Sequence, residues 1–566
     1  MRRVIVVFCW LVFVAFPIVG QDKDPVRLIA NILSYDVEDL PEEELERMLE
    51  VFRRPIGINT ESPDRLMSYG IFTQFQIASL MDYRNSSGPC MSFMELSALN
   101  GFGEEFVSRL RPIISLDYHP ETCGRTTTEI TARGSARYSQ EILRYGYNSR
   151  CKLKVGDACS ASLALSKSLD TGQPLPDAIC GSLQSRFRKI PLSLVIGDFN
   201  ARYGQGLGLW TGSSFSSLNT PSSFMKRRFG VTPSSSFTGT GVLTGVAAEY
   251  NTGKYSVSAF TAMPGIKSIR KKPEGVSILP CCNVSYYWKN AQAGVTHQME
   301  LAGLSSQQYI PVMKTSCDVS MCLRGIDVFS EIAFDWVRIG LDAVAGVVWP
   351  VGQGGNMAAM IKTVQKDYSM AVSGSLKKRR LSGSMSGDLV LYAEPKVETQ
   401  DRSLQLKLHT QWQYDFSDSW YLTLRFTERI RSWGQLFRTD VRADLGWQSG
   451  IFSAIWRLNA LQCDGVAWLT YLDGGLKTGK WALHLRQGVF FVDDWDDRIY
   501  AYERDVPGAY NVPAFYGRGI WTSFFTSWKP APWCTLYLRT ALTSYPFMQE
   551  KKPGKAELRF QSVFDF

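Results

Sequence analysis

The stretch Ser403-Leu404-Gln405-Leu406-Lys407-Leu408-His409-Thr410-Gln411-Trp412-Gln413-Tyr414-Asp415-Phe416, followed by Ser417-Asp418-Ser419 and then Trp420-Tyr421-Leu422-Thr423-Leu424-Arg425-Phe426-Thr427, decides the fold. Leu404, Leu406, Leu408, Trp412, Tyr414 and Phe416 alternate with polar residues. After the short turn, Trp420, Leu422, Leu424 and Phe426 do the same. Side chains of a strand point to opposite faces in turn, so each run has one apolar face and one charged face. Strands of soluble sandwiches average about 5–6 residues. These runs exceed that by far and suit tilted strands that cross a bilayer.

The pattern spreads outward in both directions. Phe437, Val441, Ala443, Leu445 and Trp447 oppose Arg438, Asp440, Arg442 and Asp444, and Phe452, Ala454, Trp456, Leu458 and Ala460 form the next apolar set. Asn251-Thr252-Gly253-Lys254 reads as a turn between two more strands. The period of two begins near Thr126 and runs to the end of the chain. It predicts an all-β transmembrane barrel over residues 118–566, with roughly 16–22 antiparallel strands and an even number of them. The final segment places Ala556, Leu558, Phe560, Phe564 and Phe566 on one face and stops on an aromatic residue. It resembles the C-terminal insertion signal of outer-membrane barrels. That resemblance implies Phe560, Phe564 and Phe566 as the signal and the barrel-assembly machinery as a transient partner, with outer-membrane lipids as the lasting one.

Composition agrees. Among 566 residues there are 16 Trp, 24 Tyr and 31 Phe, an aromatic load suited to girdles at two membrane interfaces. Arg2 and Arg3 precede the apolar run Val4–Val19, and Gly20 is followed by Gln21-Asp22-Lys23-Asp24. This is the pattern of a secretory signal over residues 1–20. Export combined with a barrel predicts the outer membrane, with both barrel ends of the chain, and the N-terminal domain, on the periplasmic side.

Residues 21–117 differ in kind. They carry nine basic and 17 acidic side chains, a net of −8, whereas the chain as a whole is +9; past the signal, the barrel part is therefore +15. Residues 21–54 read as an acidic helical lead-in, with Glu42-Glu43-Glu44 ahead of Leu45, Met48 and Leu49, where carboxylates favour the helix dipole. Residues 55–117 read as two helix pairs. Ser62-Pro63 starts one helix, Gly70-Ile71-Phe72 is a turn, and Gln74–Tyr83 follows; after Gly88-Pro89 the scheme repeats around Gly101-Phe102-Gly103.

On Ile58-Asn59-Thr60, Asp82-Tyr83-Arg84, Gly88-Pro89, Glu95-Leu96 and Gly101-Phe102-Gly103, this stretch resembles the helix-hairpin-helix domain of ComEA-type competence proteins. Two barrel segments resemble large helix-hairpin-helix outer-membrane proteins of the Bacteroidetes type: Ile196 to Leu207, and Arg498 to Pro507 with Tyr516-Gly517-Arg518-Gly519. The resemblance implies a periplasmic domain that binds DNA in a competence-like uptake role. In such domains a Gly-hydrophobic-Gly turn offers backbone N–H groups to a phosphate. The residues it singles out are Gly101, Phe102, Gly103 and Gly70, with Arg84, Arg109 and Arg111 as a local cationic patch. Phe72 departs from the motif at the position of the second glycine, and Glu104 and Glu105 follow the intact turn. Residues 52–116 hold six basic and six acidic side chains, without the clustering that drives DNA binding.

Catalysis is not expected. Neither His-Glu-x-x-His nor Gly-x-Ser-x-Gly occurs, and His119, His297, His409 and His484 lie in no ligand or triad spacing. No cofactor or metal is implied. Asp493-Asp494-Trp495-Asp496-Asp497 reads as a solvated acidic loop with calcium as the rival reading, and the glycines of Gly204-Gln205-Gly206-Leu207-Gly208 stand in the wrong context for a nucleotide. Cys317 with Cys322, and Cys151 with Cys159, are close enough in sequence to be disulfide candidates. The basic runs Lys226-Arg227-Arg228, Arg270-Lys271-Lys272 and Lys377-Lys378-Arg379-Arg380 suit either solvation or a polyanion. Three roles follow: DNA handling, a structural role in which the acidic domain docks another envelope protein, or a channel for anionic solutes.

Overall fold

In the computed structural model, the described residues are 25–33, 37–40, 42–53, 55–117, 126–156, 158–170, 172, 174–187, 190–212, 218–237, 241–252, 254–264, 278–288, 290–301, 312–352, 354–396, 402–549 and 552–566. The signal segment 1–20, His119 and Arg270-Lys271-Lys272 lie outside them.

The barrel runs from Thr126 to Asp565 and is closed and antiparallel throughout. The short strand Gly230–Pro233 sits beside the end of Leu192–Arg202, which also pairs directly with Leu243–Asn251; the wall itself therefore holds 24 strands. The number is even, as expected, but lies above the 16–22 read from the sequence. The undercount has a physical source in strands such as Cys159–Asp170 and Leu381–Tyr392, where serine and glycine weaken the alternation. Closure joins the last strand to the first, with Phe560 opposite Gly134 and Phe564 opposite Ile130. The Phe566 and Thr128 backbones exchange both hydrogen bonds, at 2.9 and 3.0 Å. No sheet edge is left, which is the condition for strands to cross lipid.

The wall is apolar outside and polar within. Along Val466–Lys477, Val466, Trp468 and Leu472 are exposed while Ala467, Leu469, Tyr471 and Asp473 are buried. Aromatic pairs ring both ends. Trp420–Trp447, Trp481–Trp528 and Trp533–Phe566 lie at the end that carries the C-terminus; Trp468–Phe491, Tyr392–Trp433 and Phe334–Trp336 lie at the other. Turns at the C-terminal end include Arg324-Gly325, Arg379-Arg380 and Gly450-Ile451, whereas the long connections 203–242 and 493–516 both leave from the opposite end.

The helical segment has six described α-helices: α1 (Pro25–Leu33), α2 (Glu42–Arg53), α3 (Pro63–Ser68), α4 (Gln74–Ser87), α5 (Phe93–Ala98) and α6 (Gly103–Leu110). Thr73 caps α4 with a reciprocal bond to Gln76, and Ser92 caps α5 through Glu95 N. A two-residue parallel pairing of Ile56-Gly57 with Ile114-Ser115 ties its ends together. Lead-in and helix pairs share one core: Ile29, Leu45 and Met48 pack in the same cluster as Leu66, Phe72, Leu96 and Val107. Phe229 from the barrel connection 203–242 belongs to that cluster too, with Tyr510 from 493–516 against it.

None of the cysteine pairs read from spacing forms, and every cysteine among the described residues is a free thiol. Cys317 and Cys322 lie on one extended strand, where an odd separation sends their side chains to opposite faces.

The lipid face makes a direct prediction. Leu472→Arg puts a charge in the middle of the outer wall and is expected to cost about 2–4 kcal/mol, read from urea titration of refolding into vesicles.

Candidate functional site

The site is the barrel lumen, because the helical unit is held inside it. Glu38, in a turn between α1 and α2, meets Arg442 at 3.0 Å, Arg457 at 2.8 Å and Arg425 at 3.3 Å. Each arginine sits mid-strand on one of three consecutive strands, Trp420–Arg431, Phe437–Ser449 and Phe452–Gln462. Asp444 supports two of them, bonding Arg457 at 2.6 Å and Arg442 at 2.8 Å. Along α2, Glu44 pairs with its neighbour Arg47 and with Arg202 of the wall. Glu50 takes Lys152 at 2.7 Å and Lys154 at 2.5 Å.

These contacts set the acid chemistry of the helical unit. Burial opposes ionisation of Glu38, but Arg442, Arg457 and Arg425 overcome it and hold the carboxyl well below the ordinary carboxylate range. Burial likewise opposes Glu44, yet Arg47 and Arg202 bring it down to about 2. Lys152 leads the downward shift of Glu50. Glu46 is the exception, because burial outweighs Arg150, Arg133 and Lys152 and pushes its carboxyl up.

Two connections fold back from the far end of the barrel and clamp the helical unit. The second carries Arg498 to Pro507, and the first begins within the run Ile196 to Leu207. In the first, the backbone N–H groups of Gln205, Leu207 and Gly208 donate to the buried Glu331 carboxylate at 2.6, 3.0 and 2.9 Å. Gly204 and Gly206 have φ of +56° and +83°, and a side chain at Gly204 would collide with Glu331. The glycines thus form an anion nest, and its anion is a side chain of the wall. Further along, Arg227 covers the Phe106 ring of α6 at 5.4 Å, and Arg228 pairs with Asp318 at 3.2 Å. This basic run is a clamp and not a solvated surface.

In the second connection, Arg539 binds Glu503 at 2.7 Å and Glu557 at 3.1 Å, and Arg559 binds Asp505. Arg133 donates to the Pro507 carbonyl at 2.8 Å. At the tip, the Tyr510 hydroxyl donates to the Val37 carbonyl at 2.5 Å and accepts from Leu40 N at 3.1 Å, so it brackets Glu38. The acidic run nearby is engaged by protein groups: Asp493 by Arg518 at 2.7 Å, and Asp497 by the Asp464 N–H at 3.1 Å. Among the described residues no group of three metal-ligating side chains occurs.

The residues singled out for DNA are scattered. Gly70 (φ +60°) is buried, and a side chain there would strike Arg47 and Phe229, so no phosphate can approach this turn. Phe72, the departure from the motif, is fully buried and meets Phe102 at 6.1 Å and Phe106 at 6.4 Å; it links the two helix pairs. Gly101 and Gly103 are exposed around a buried Phe102. Arg84 donates to the carbonyls of Ile58 and Glu61 at 3.4 and 2.8 Å. Arg111 lies over the Phe93 ring at 5.3 Å, and Arg109 is half-buried on α6. Phe560, Phe564 and Phe566 share the outer face of the closing strand, with Phe564 and Phe566 both stacked on Trp533.

A closed wall with an apolar exterior, aromatic rings at both ends and a helical unit ion-paired to its interior defines a plugged, membrane-spanning β-barrel of the outer-membrane class. No family model and no curated protein matches the chain. Among solved structures it is similar to the siderophore receptor PirA from Pseudomonas aeruginosa, at 8% identity over 78% of this chain and 81% of that one, with a TM-score of 0.43. The P pilus usher (PapC) translocation pore matches at 8% identity over 78% and 99%, with a TM-score of 0.39. The outer membrane protein opdK from Pseudomonas aeruginosa matches at 8% identity over 78% and 99%, with a TM-score of 0.27. The likeness is one of barrel architecture alone.

The acid chemistry predicts how docking depends on pH. Glu38, Glu44 and Glu50 have folded values below their free ones, so their stabilisation is complete above the ordinary carboxylate range and disappears as pH falls through it toward about 2. Glu46 acts in the opposite sense and offsets part of it. Hydrogen exchange of segment 37–50 should accelerate over that acid window. Glu38→Gln should accelerate it at neutral pH, by about 3 kcal/mol of lost protection, because three guanidiniums lose their shared carboxylate.

Proposed function

We propose that this protein is a gated outer-membrane transport barrel, in which the N-terminal helical unit is the plug and a basic lumen conducts anionic solutes once the plug shifts. The observation that carries this reading is the Glu38 cluster: an acidic side chain of the helical unit joins Asp440 and Asp444 in balancing three lumen arginines halfway down the wall. The −8 of residues 21–117 and the +15 of residues 118–566 are opposite in sign, and part of each meets in these lumen ion pairs. Such ion pairs hold the closed state and, on opening, leave cations lining the path. The anion-channel reading of the sequence is kept in gated form. A partner for the acidic domain is present within the chain itself, so an envelope protein is not needed to account for its charge.

Planar-bilayer recording of the full chain tests this. The wild type should conduct little. Glu38→Lys with Glu44→Lys, which sets like charges against Arg202, Arg425, Arg442 and Arg457, should give steps at least tenfold larger and selective for anions. Equal conductance in both proteins, or cation selectivity, would sink the proposal.

A second reading draws on the exposure of Gly101 and Gly103. That exposure leaves the second hairpin open to one DNA phosphate, with competence-like uptake as the role the sequence resemblance implies. The full chain in detergent, in a mobility shift with duplex DNA at two salt concentrations, should bind in a salt-sensitive way that Gly101→Val with Gly103→Val abolishes. Binding unchanged by those substitutions, or none at low salt, would remove this reading.

A further inference from the structure

A cavity of about 270 Å³ lies on the seam between the plug and the barrel wall. Its plug side is formed by α2 and α3; its wall side comes from the strands that meet around Lys154 and Cys159, toward the end bearing the C-terminus, and from the connection near Ser234. Seven cationic side chains line it against three carboxylates, Glu46, Glu50 and Glu61. Glu44 and Glu129 reach the same cations from behind, so that Arg47 shares Glu44 with Arg202 and Lys152 shares Glu50 with Lys154.

Arg150 is held by carboxylates more loosely than Lys152 and Lys154 beside it. Its closest carboxylate oxygens, on Glu129 and Glu46, are 3.6 and 3.8 Å away, beyond hydrogen-bond length. It donates to the Ser235 carbonyl at 3.3 Å and lies over the Phe237 ring at 4.7 Å, and its Nε has no hydrogen-bond partner although buried. Glu46 Oε1 is also buried without a hydrogen-bond partner. Burial raises the Glu46 carboxyl, so its charge opposes an anion less than that of a well-solvated carboxylate would. Elsewhere in the lumen, buried guanidiniums such as those of Arg457, Arg486 and Arg539 have carboxylates within 2.8 Å. A guanidinium whose carboxylates stand beyond hydrogen-bond length, at the lining of a polar cavity, suits the planar fork that binds phosphate through two parallel bonds. On the wall side the hydroxyl of Ser160 adds a donor, whereas those of Ser162 and Ser182 are bonded to each other and to the Ser234 carbonyl.

We propose that this seam cavity is a binding site for a small phosphate-type oxyanion, either the free ion or a phosphomonoester, with Arg150 as its principal ligand. The site requires the plug to be docked, so it rests on the reading of the helical unit as a plug. It also couples the two, because an oxyanion bridging Arg150 and α2 binds plug and wall together.

The test is titration calorimetry of the full chain in detergent with inorganic phosphate, glycerol 3-phosphate and glycerol, with hydrogen exchange of segment 37–50 on the same samples. Saturable binding of phosphate or its ester is expected, together with none of glycerol. Whichever of the two binds more tightly identifies the source. Arg150→Gln should weaken binding at least tenfold while segment 37–50 stays protected, and Glu46→Gln should tighten it by removing the competing charge. Should Arg150→Gln also loosen the plug, Ser160→Ala provides the second variant, with a severalfold loss expected. Protected plug without phosphate binding, or affinity unchanged across these variants, overturns the site and leaves the plug intact. An unprotected segment 37–50 in the wild type removes the plug reading, and the cavity falls with it.

Discussion

Three guanidiniums gathered around one carboxylate, far from bulk water, are the constraint on which the rest of this structure depends. Removing arginine from water costs several kcal/mol per ion unless geometry and partners are both good. The wall supplies Asp444 and Asp440 but still leaves Arg425, Arg442 and Arg457 short of negative charge, and Glu38 completes the set. The barrel interior is thus built for this helical unit. Its acidic α2, set against Lys152, Lys154 and Arg202, continues the same logic along the wall.

The two in-folded connections convert charge matching into a fixed position. Electrostatic attraction alone falls off gently with distance and would permit many poses. Phe229 inserted into the plug core and Tyr510 bonded to the backbone on both sides of Glu38 permit few. Both connections are themselves immobilised by buried acid–base contacts to the wall, Glu331 under one and Arg539 with Arg559 under the other. The conformational cost of ordering such long connections is offset by these charge-assisted bonds, each roughly twice as strong as a neutral one.

Much of this was legible before the fold was seen, and the gaps have physical causes. Long strands with an apolar face, such as Trp420–Arg431, announce themselves through period two. Strands such as Ala178–Arg186, with few large apolar residues, do not, and the count ran short there. The charge split between residues 21–117 and the barrel was a true signal whose meaning depended on the third dimension. Periodicity says which face of a strand is polar, but not what stands opposite it. Phe72 is similar: as a motif residue it reads as a defect, while in space it is the ring that joins two helix pairs. Arg539 and Glu503 carry no local sequence signature, since their pairing joins residues far apart through a connection that folds inward.

The seam that closes the wall has a consequence for how the molecule comes into being. Thr126–Ser139 and Lys555–Asp565 are neighbours in space and nearly the whole barrel apart along the chain. The helical unit, made of local contacts, lies ahead of both, and short-range structure forms much faster than pairing over such distances. A unit that forms first is enclosed when the last strand pairs, and closure of the wall in that order asks for no threading through a finished barrel.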